Sequence, residues 1–406
     1  MTLGGNPLSL RPPTDRDAPT TNPGLLMARS LREVTRANAE ASERERTLNK
    51  DTVEALWKSG LMQYAYPKVA GGQEPTVPEM LKVWEEMAWQ DSSFGWIGIA
   101  NFPSAAFAAA YLPDEGFAEC FTAHDNRVTM GGQFFPNGQG QPVDGGYQIT
   151  GAWNFGSGIA HCEFVAGGFF PMENGAPRMA PDGLPEMRVA VFPREEITIT
   201  DGWYVQGLKA TGSFDYNVTD VFVPEYRTYP LFTREPKRGG RAFSLGIMPI
   251  TAAGHAAWAL GTSRSTLDDV IELAKTTQRM GEPSTLALKP TFQRNLAHHE
   301  GMWRAAWHHV MDTYLRVDEE IAAGQPLTPT MRADMRLAAS YATDAAREVV
   351  QWCHLAAGTT AIREGCRLER AFRDMYTGTQ HTFIGEKTYL DVATLMLGLA
   401  EDAPGL

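Results

Sequence analysis

The chain has 406 residues, of which 43% are hydrophobic and 21% charged, the balance of an ordinary folded protein rather than a disordered or collagen-like one. Its formal net charge of −12 leaves no excess of Lys and Arg to neutralise phosphates, which argues against nucleic-acid binding. No apolar run reaches the roughly 18 residues of a membrane span, and no secretory segment is visible, so no membrane partner is expected. Four cysteines (Cys120, Cys162, Cys353, Cys366) without CxxC spacing read as small buried hydrophobes in a reduced, cytoplasmic protein.

At about 150 residues per domain the length allows roughly two to three domains, and the texture changes along the chain. Residues 1–24 are rich in Pro, Asn and Thr and are expected to form a flexible arm. Residues 25–126 read as a helical domain. Asn49 caps a short helix over 51–59 that stops at Gly60. Thr76, Pro78 and Glu79 open another through a capping box, and Met80, Val83, Trp84, Met87 and Ala88 form its apolar stripe. The almost wholly apolar stretch 93–112 predicts a buried helix. Residues 127–235 are glycine-dense and predict a β-domain of about six to eight strands. It includes a hairpin turn at Asp144-Gly145-Gly146 and proline-ended strands over 189–193 and 218–224. Residues 236–406 are helical again, with helices expected over 249–278, 290–323, 329–357 and 367–399. Long helices joined by short loops make an antiparallel four-helix bundle. The fold class is α+β.

Several chemistries fall away. The sequence has no GxxxxGK[ST] loop, no GxGxxG, no GxSxG elbow and no HExxH. A di-iron bundle needs two Glu-x-x-His pairs, and there are none. His298-His299 and His308-His309 lie about 15 Å apart along one helix at 1.5 Å per residue. No metal site is expected.

Four stretches stand out in order. The first is Gly71-Gly72-Gln73-Glu74 followed by Asp91-Ser92-Ser93-Phe94-Gly95-Trp96. The second runs from Asp144 through Trp153-Asn154-Phe155-Gly156-Ser157-Gly158. The third is Gly207-Leu208-Lys209-Ala210-Thr211-Gly212-Ser213, leading into Val218–Pro224. The fourth is Glu369-Arg370-Ala371-Phe372-Arg373-Asp374, with Gln380-His381 beyond. Together they resemble the acyl-CoA dehydrogenase superfamily along nearly the whole chain. Within it they are more similar to the two-component flavin-dependent monooxygenases, which hydroxylate aromatic or heteroaromatic rings with reduced flavin from a separate reductase.

The resemblance implies an N-terminal helical domain, a middle β-domain and a C-terminal four-helix bundle, assembled as a homotetramer. It implies reduced FAD arriving as diffusible FADH2 (FMN is the alternative), O2, and an aromatic substrate, indole-type or polycyclic rings included. Oxygen transfer would pass through a C4a-hydroperoxyflavin. The flavin's polar edge would meet the backbone N–H groups of Gly156-Ser157-Gly158 and the Ser157 hydroxyl, with Phe155 and Trp153 as apolar packing. Arg279, Gln293 and Gly358 would contact flavin phosphates, borrowed from a neighbouring subunit. Trp96, Asn101, Phe102, Ser104 and Trp258 would wall the substrate pocket. Arg373 and Asp374 would form a structural salt bridge.

His381 separates this branch from the dehydrogenases. Their catalytic glutamate commonly lies about eight residues after the Arg-Asp pair; here that position is Thr382, beside His381. Ser157 and His381 are therefore the expected catalytic pair, His381 stabilising the peroxide or orienting substrate. One departure is visible. Phenol hydroxylases of this branch often carry a second histidine beyond the Gly-Trp pair, where this chain has Asn101, Phe102, Pro103 and Ser104. That favours a substrate needing less deprotonation, such as an indole. Two rival readings are an acyl-CoA dehydrogenase or oxidase whose base is displaced to Glu386, and a non-catalytic helical assembly protein that kept the fold.

Overall fold

The computed structural model describes residues 15–181, 183–403 and 405–406. Six helices come first: α1 (Pro23–Ser30), α2 (Arg32–Glu45), α3 (Lys50–Ser59), α4 (Val77–Gln90), α5 (Ser92–Tyr111) and α6 (Asp114–Cys120). Eight strands follow: β1 (Met130–Val143), β2 (Gly146–Gly156), β3 (Phe164–Glu173), β4 (Ala176–Pro177), β5 (Arg188–Pro193), β6 (Thr198–Thr200), β7 (Phe214–Pro224) and β8 (Thr228–Pro230). The last helices are α7 (Ile247–Thr276), α8 (Pro290–Ala322), α9 (Pro329–Ala357), α10 (Arg367–Gly378) and α11 (Glu386–Met396). Residues 1–14 of the expected arm lie outside the described residues. From Asp15 on the chain is anchored rather than loose. Arg16 donates to both Glu85 oxygens at 2.8 and 2.7 Å, and both side chains are buried.

Local chemistry sets the helix ends. The Asn49 side chain accepts from Asp51 N–H, and α3 stops at Gly60 with φ 81°. Thr76 and Glu79 cap α4 reciprocally. Asp91 caps α5 by accepting from Phe94 N–H at 3.0 Å. Helix α5 is apolar all round because it is covered all round, by α4, α7 and β1.

The sheet runs β6-β7-β2-β1-β3-β5-β8, with β4 paired to β3 alone. Its pairs are antiparallel except β1 with β3. Trp153 forms its centre. An added Cβ at Gly138, Gly151 or Gly167 would lie within 2.9 Å of its ring, so those glycines make the slot the indole fills. Trp153 also donates to Gly168 O at 2.9 Å and stacks on Tyr216. It is therefore inside the β core and not on the flavin-facing side where it was expected. An irregularity in the β2–β7 pairing between Trp153 and Gly156, with Phe155 at φ 63°, breaks the strand alternation and puts Phe155, two residues on, outside.

Helix α7 runs through the middle of the C-terminal helices, packed by α4, α5, α8, α9 and α10. The fourth member of the bundle is not the continuous helix expected over 367–399. It is α10 and α11, separated by a turn that carries His381. Gly378 ends α10 against Trp258, where a Cβ would fall 2.2 Å from the indole. The His381 side chain then caps the next turn by accepting from Phe383 N–H. Among the described residues no helix is long and apolar enough to cross a membrane.

Candidate active site

Ser157 sits where β2 leaves the sheet. The preceding Phe155 has φ 63°, a left-handed backbone that a non-glycine residue rarely adopts, and its exposed ring meets Trp203 edge-on at 6.2 Å. The expected backbone donors are engaged inside the loop. Ser157 N–H donates to Phe155 O and Gly158 N–H to Thr211 O, each at 2.8 Å, and Gly156 pairs with Phe214 across to β7. The functional group presented here is the hydroxyl.

Its hydrogen bonding has a direction. Thr211 Oγ1 lies 2.8 Å from Leu208 O, which can only accept, so the threonine proton goes there. Ser213 Oγ, 2.6 Å from Thr211 Oγ1, must then be the donor in that pair. Ser157 Oγ in turn donates to Ser213 at 2.7 Å. Trp96 Nε1–H completes the chain by donating to Ser157 Oγ at 3.1 Å. The Ser157 proton thus points away into the protein, and its second lone pair remains an acceptor. Ser213 and Thr211 lay in the motif Gly207–Ser213, but only the fold shows their part.

Asn101 fixes this loop to α5. Its Nδ2 donates to Met130 O and Ser157 O, both at 3.0 Å, and a Cβ at Gly158 would fall 2.2 Å from its Oδ1. It is a buried positioning residue, not the pocket wall expected. Ser104 Oγ donates to Ala100 O at 2.6 Å within its own helix. Phe102 is fully buried in the core. Trp258 is also fully buried; it donates to Ser92 O at 2.9 Å and backs Trp96 edge-on at 5.0 Å. Of the five expected wall residues, Trp96 is the one bonded to Ser157 Oγ and in ring contact with the histidines.

Around Trp96 the structure gathers rings. His381 lies 5.9 Å from it and His255 5.3 Å. The two imidazoles are 4.3 Å apart, and Phe383 stacks on His381 at 5.2 Å. His255 was not anticipated, although its i,i+3 spacing to Trp258 on α7 places both on one helix side. His255 Nδ1 is 2.8 Å from Thr251 O, so Nδ1 carries the proton and Nε2 is bare. His381 has the opposite tautomer: Nδ1 accepts from Phe383 N–H at 3.3 Å, leaving Nε2–H as a donor. Burial pushes His255 down to about 4, with the Arg336 cation adding to the effect. Burial, then His255 and Arg336, lowers His381 well below the ordinary imidazole value. Part of His381 reaches the surface of the single chain, but its ring neighbours enclose it. Both imidazoles are neutral near pH 7. Glu386, which the dehydrogenase rival requires as base, is exposed at the start of α11, and His381 and Ser157 bond to other groups.

The residues expected to contact flavin phosphates lie elsewhere. Arg279 donates to Ala356 O at 2.9 Å and lies beside Gly358, while Gln293 donates to Ala287 O at 2.9 Å. At 1.5 Å per residue, the C-terminal end of α7 at Thr276, three residues before Arg279, is on the order of 30 Å from His255.

A charged network supports the site from behind. Arg373 pairs with Glu43 at 2.6 Å and with Glu369, while Asp374 instead accepts from Leu208 N–H at 2.5 Å. The expected Arg373–Asp374 bridge is thus replaced by two separate contacts that clamp the 207–213 loop to α2 and α10. An adjoining cleft of about 460 Å³ is lined by Arg36, Arg44, Arg367 and Arg370, with none of the site's histidines or aromatic rings. No His/Cys/Asp/Glu cluster among the described residues could hold a metal.

A flavin fits what is present: an apolar ring box, an exposed Phe155, a Ser157 acceptor and a His381 donor, without a carboxylate bonded to either polar group.

Comparison with known proteins agrees. The family model for the acyl-CoA dehydrogenase C-terminal domain matches residues 253–386. The chain is 30% identical over 374 residues to indole-3-acetate monooxygenase of Acinetobacter baumannii, covering 91% of this chain and 92% of that protein. In fold it is similar to 3-HSA hydroxylase from Rhodococcus sp. RHA1 (TM-score 0.88, 23% identity, 95% and 100% coverage). It is also similar to XiaF from Streptomyces sp., solved with FADH2 and glycerol (TM-score 0.85, 23% identity, 94% and 96% coverage). The chain belongs to the flavin-dependent monooxygenases built on the acyl-CoA dehydrogenase fold.

Proposed function

We propose that this protein is the oxygenase of a two-component system that hydroxylates an electron-rich aromatic ring of the indole type, using FADH2 or FMNH2 from a separate reductase. Reduced flavin, when bound, activates O2 and supplies one oxygen atom to the ring; the other leaves as water. The observation that carries this reading is the meeting of Ser157, whose hydroxyl proton is committed to Ser213 and whose free lone pair accepts, with two neutral imidazoles around Trp96. Ser157 suits the ring N–H that reduced flavin has and oxidised flavin lacks. His381 Nε2–H is placed to donate to an oxygen. The surrounding rings exclude water, which would otherwise divert the oxygen to peroxide.

The separation along α7 supports assembly. A flavin seated at Ser157 cannot bring its phosphates to Arg279 of the same chain. A second copy would supply Arg279, Gln293 and Gly358, as expected of a homotetramer.

The test is anaerobic titration with FADH2 and FMNH2, then mixing with ¹⁸O2 and indole. The expected result is reduced-flavin binding and one labelled oxygen in the product. Flavin oxidation yielding only hydrogen peroxide, or bleaching of bound FAD by an acyl-CoA, would overturn the proposal.

A further inference from the structure

The sequence lacks a base on α5, and the structure confirms that nothing there can act as one. Asn101 donates to two carbonyls, and Ser104 to a third. An acceptor is nonetheless present in the same ring box, delivered from α7. His255 is 4% exposed, and its Nε2 is buried without a hydrogen-bond partner among the described residues. An unpaired buried acceptor costs roughly 1–3 kcal/mol, a cost removed when a ligand donor arrives. The Thr251 carbonyl holds the ring in the tautomer that keeps Nε2 bare. Its ring contacts are Trp96, which donates to Ser157, and His381 and Phe383 of the α10–α11 turn.

We propose that His255 Nε2 accepts the ring N–H or O–H of the aromatic substrate and thereby selects rings that bear such a donor. The inference rests on the monooxygenase reading above and names the substrate feature that this site recognises. Such a hydrogen bond also favours the reaction. As the ring attacks an electrophilic oxygen, positive charge develops on the heteroatom, its N–H or O–H becomes a stronger donor, and the bond to Nε2 strengthens without net proton transfer. The groups facing His255 keep it an acceptor. These are His381 from the α10–α11 turn and the Arg336 guanidinium from α9, the latter lying over Phe383. Neither offers a carboxylate that would hold a proton on Nε2.

The experiment measures binding, so that it stands apart from turnover. Anaerobic protein saturated with FADH2 is titrated calorimetrically with two pairs of equal shape, indole against benzofuran and phenol against fluorobenzene. Wild type is expected to bind the donor-bearing member at least tenfold more tightly in one pair, and the pair concerned tells N–H from O–H recognition. His255→Phe should bring that ratio near one by weakening only the donor-bearing ligand. His255→Gln, whose Oε1 can accept, should restore part of it. Equal affinities in wild type for both pairs, or equal weakening of both members in His255→Phe protein that melts like wild type, would overturn the proposal. Intact discrimination with no ¹⁸O in any product would instead count against the oxygenase reading alone.

Discussion

Two buried polar clusters lie on the two sides of α10, and they are built on opposite terms. Behind it, Glu43, Asp91, Glu369, Arg370 and Arg373 are joined by ion pairs, with Asp374 beside them accepting from Leu208 N–H. Beyond its C-terminal end, His255 and His381 are neutral and ring-packed, and His255 Nε2 is buried without a partner among the described residues. A charge taken out of water is tolerable only when paired, so the first cluster is closed and can serve as scaffold. A neutral imidazole can remain incompletely bonded at modest cost, so the second can wait for a ligand. Paired charge and unpaired neutrality therefore mark support and site, respectively, within one short stretch of chain.

The largest effect expected from breaking this contrast is on the scaffold. Glu43→Gln removes the half-buried carboxylate shared by Arg370 and Arg373, which keep Asp91 and Glu369 as partners, so the loss should fall at the low end of the range for breaking a buried pair, about 3 kcal/mol. Denaturant titration should show that loss, while the fraction still folded binds reduced flavin as wild type does. Next come the site residues. His381→Ala should lower labelled product per flavin oxidised about 100-fold, the usual consequence of losing one donor to a developing charge, with little change in melting temperature. Ser157→Ala removes the head of the hydroxyl chain and should weaken FADH2 binding about tenfold, since a lost hydrogen bond is worth roughly 1–1.5 kcal/mol. Arg279→Met should weaken it by a similar factor, but from the far end of α7. Oligomers reassembled from Ser157→Ala and Arg279→Met chains should then regain sites of wild-type affinity, because some sites would combine the intact half of each. Failure to regain any would sink the shared-site arrangement.

Much of this was legible in the residues. Caps at Asn49 and Thr76 and the apolar period of α4 place the N-terminal helices to within a residue or two. The hairpin at Asp144-Gly145 is where β1 turns into β2. What was not legible depends on contacts between distant segments. The break between α10 and α11 follows Gly378, whose close packing on Trp258, over a hundred residues earlier, no local pattern shows. The resemblance implies backbone donors at Gly156-Ser157-Gly158, yet the Phe155 and Thr211 carbonyls accept from Ser157 and Gly158, and Gly156 pairs into the sheet. His255 carries no motif of its own, and only the crossing of α5, α7 and the α10–α11 turn gives it neighbours. Single-element chemistry reads from sequence, whereas a site assembled from three elements does not.

The sharpest probe of the scaffold side concerns Asp374. Burial, then the neighbouring Asp91 carboxylate, pushes it up to about 7, while an unfolded chain returns it to about 3.9. Between those values the folded state holds a proton that the unfolded state has released. Its contribution is therefore full below about pH 4 and is lost as pH rises through 7, at up to about 1.4 kcal/mol per pH unit. Asp374→Asn mimics the protonated form, and its Oδ1 can still accept from Leu208 N–H. Denaturant midpoints compared from pH 5 to 8 should show wild type losing stability relative to Asp374→Asn as the pH rises, the gap levelling off above 7. A gap that stays constant would mean that Asp374 is ionised in the folded protein. The 207–213 loop would then be held by a charged carboxylate, and the closed character of the scaffold would rest on Arg370 and Arg373 pairing with Asp374 as well as with Glu43.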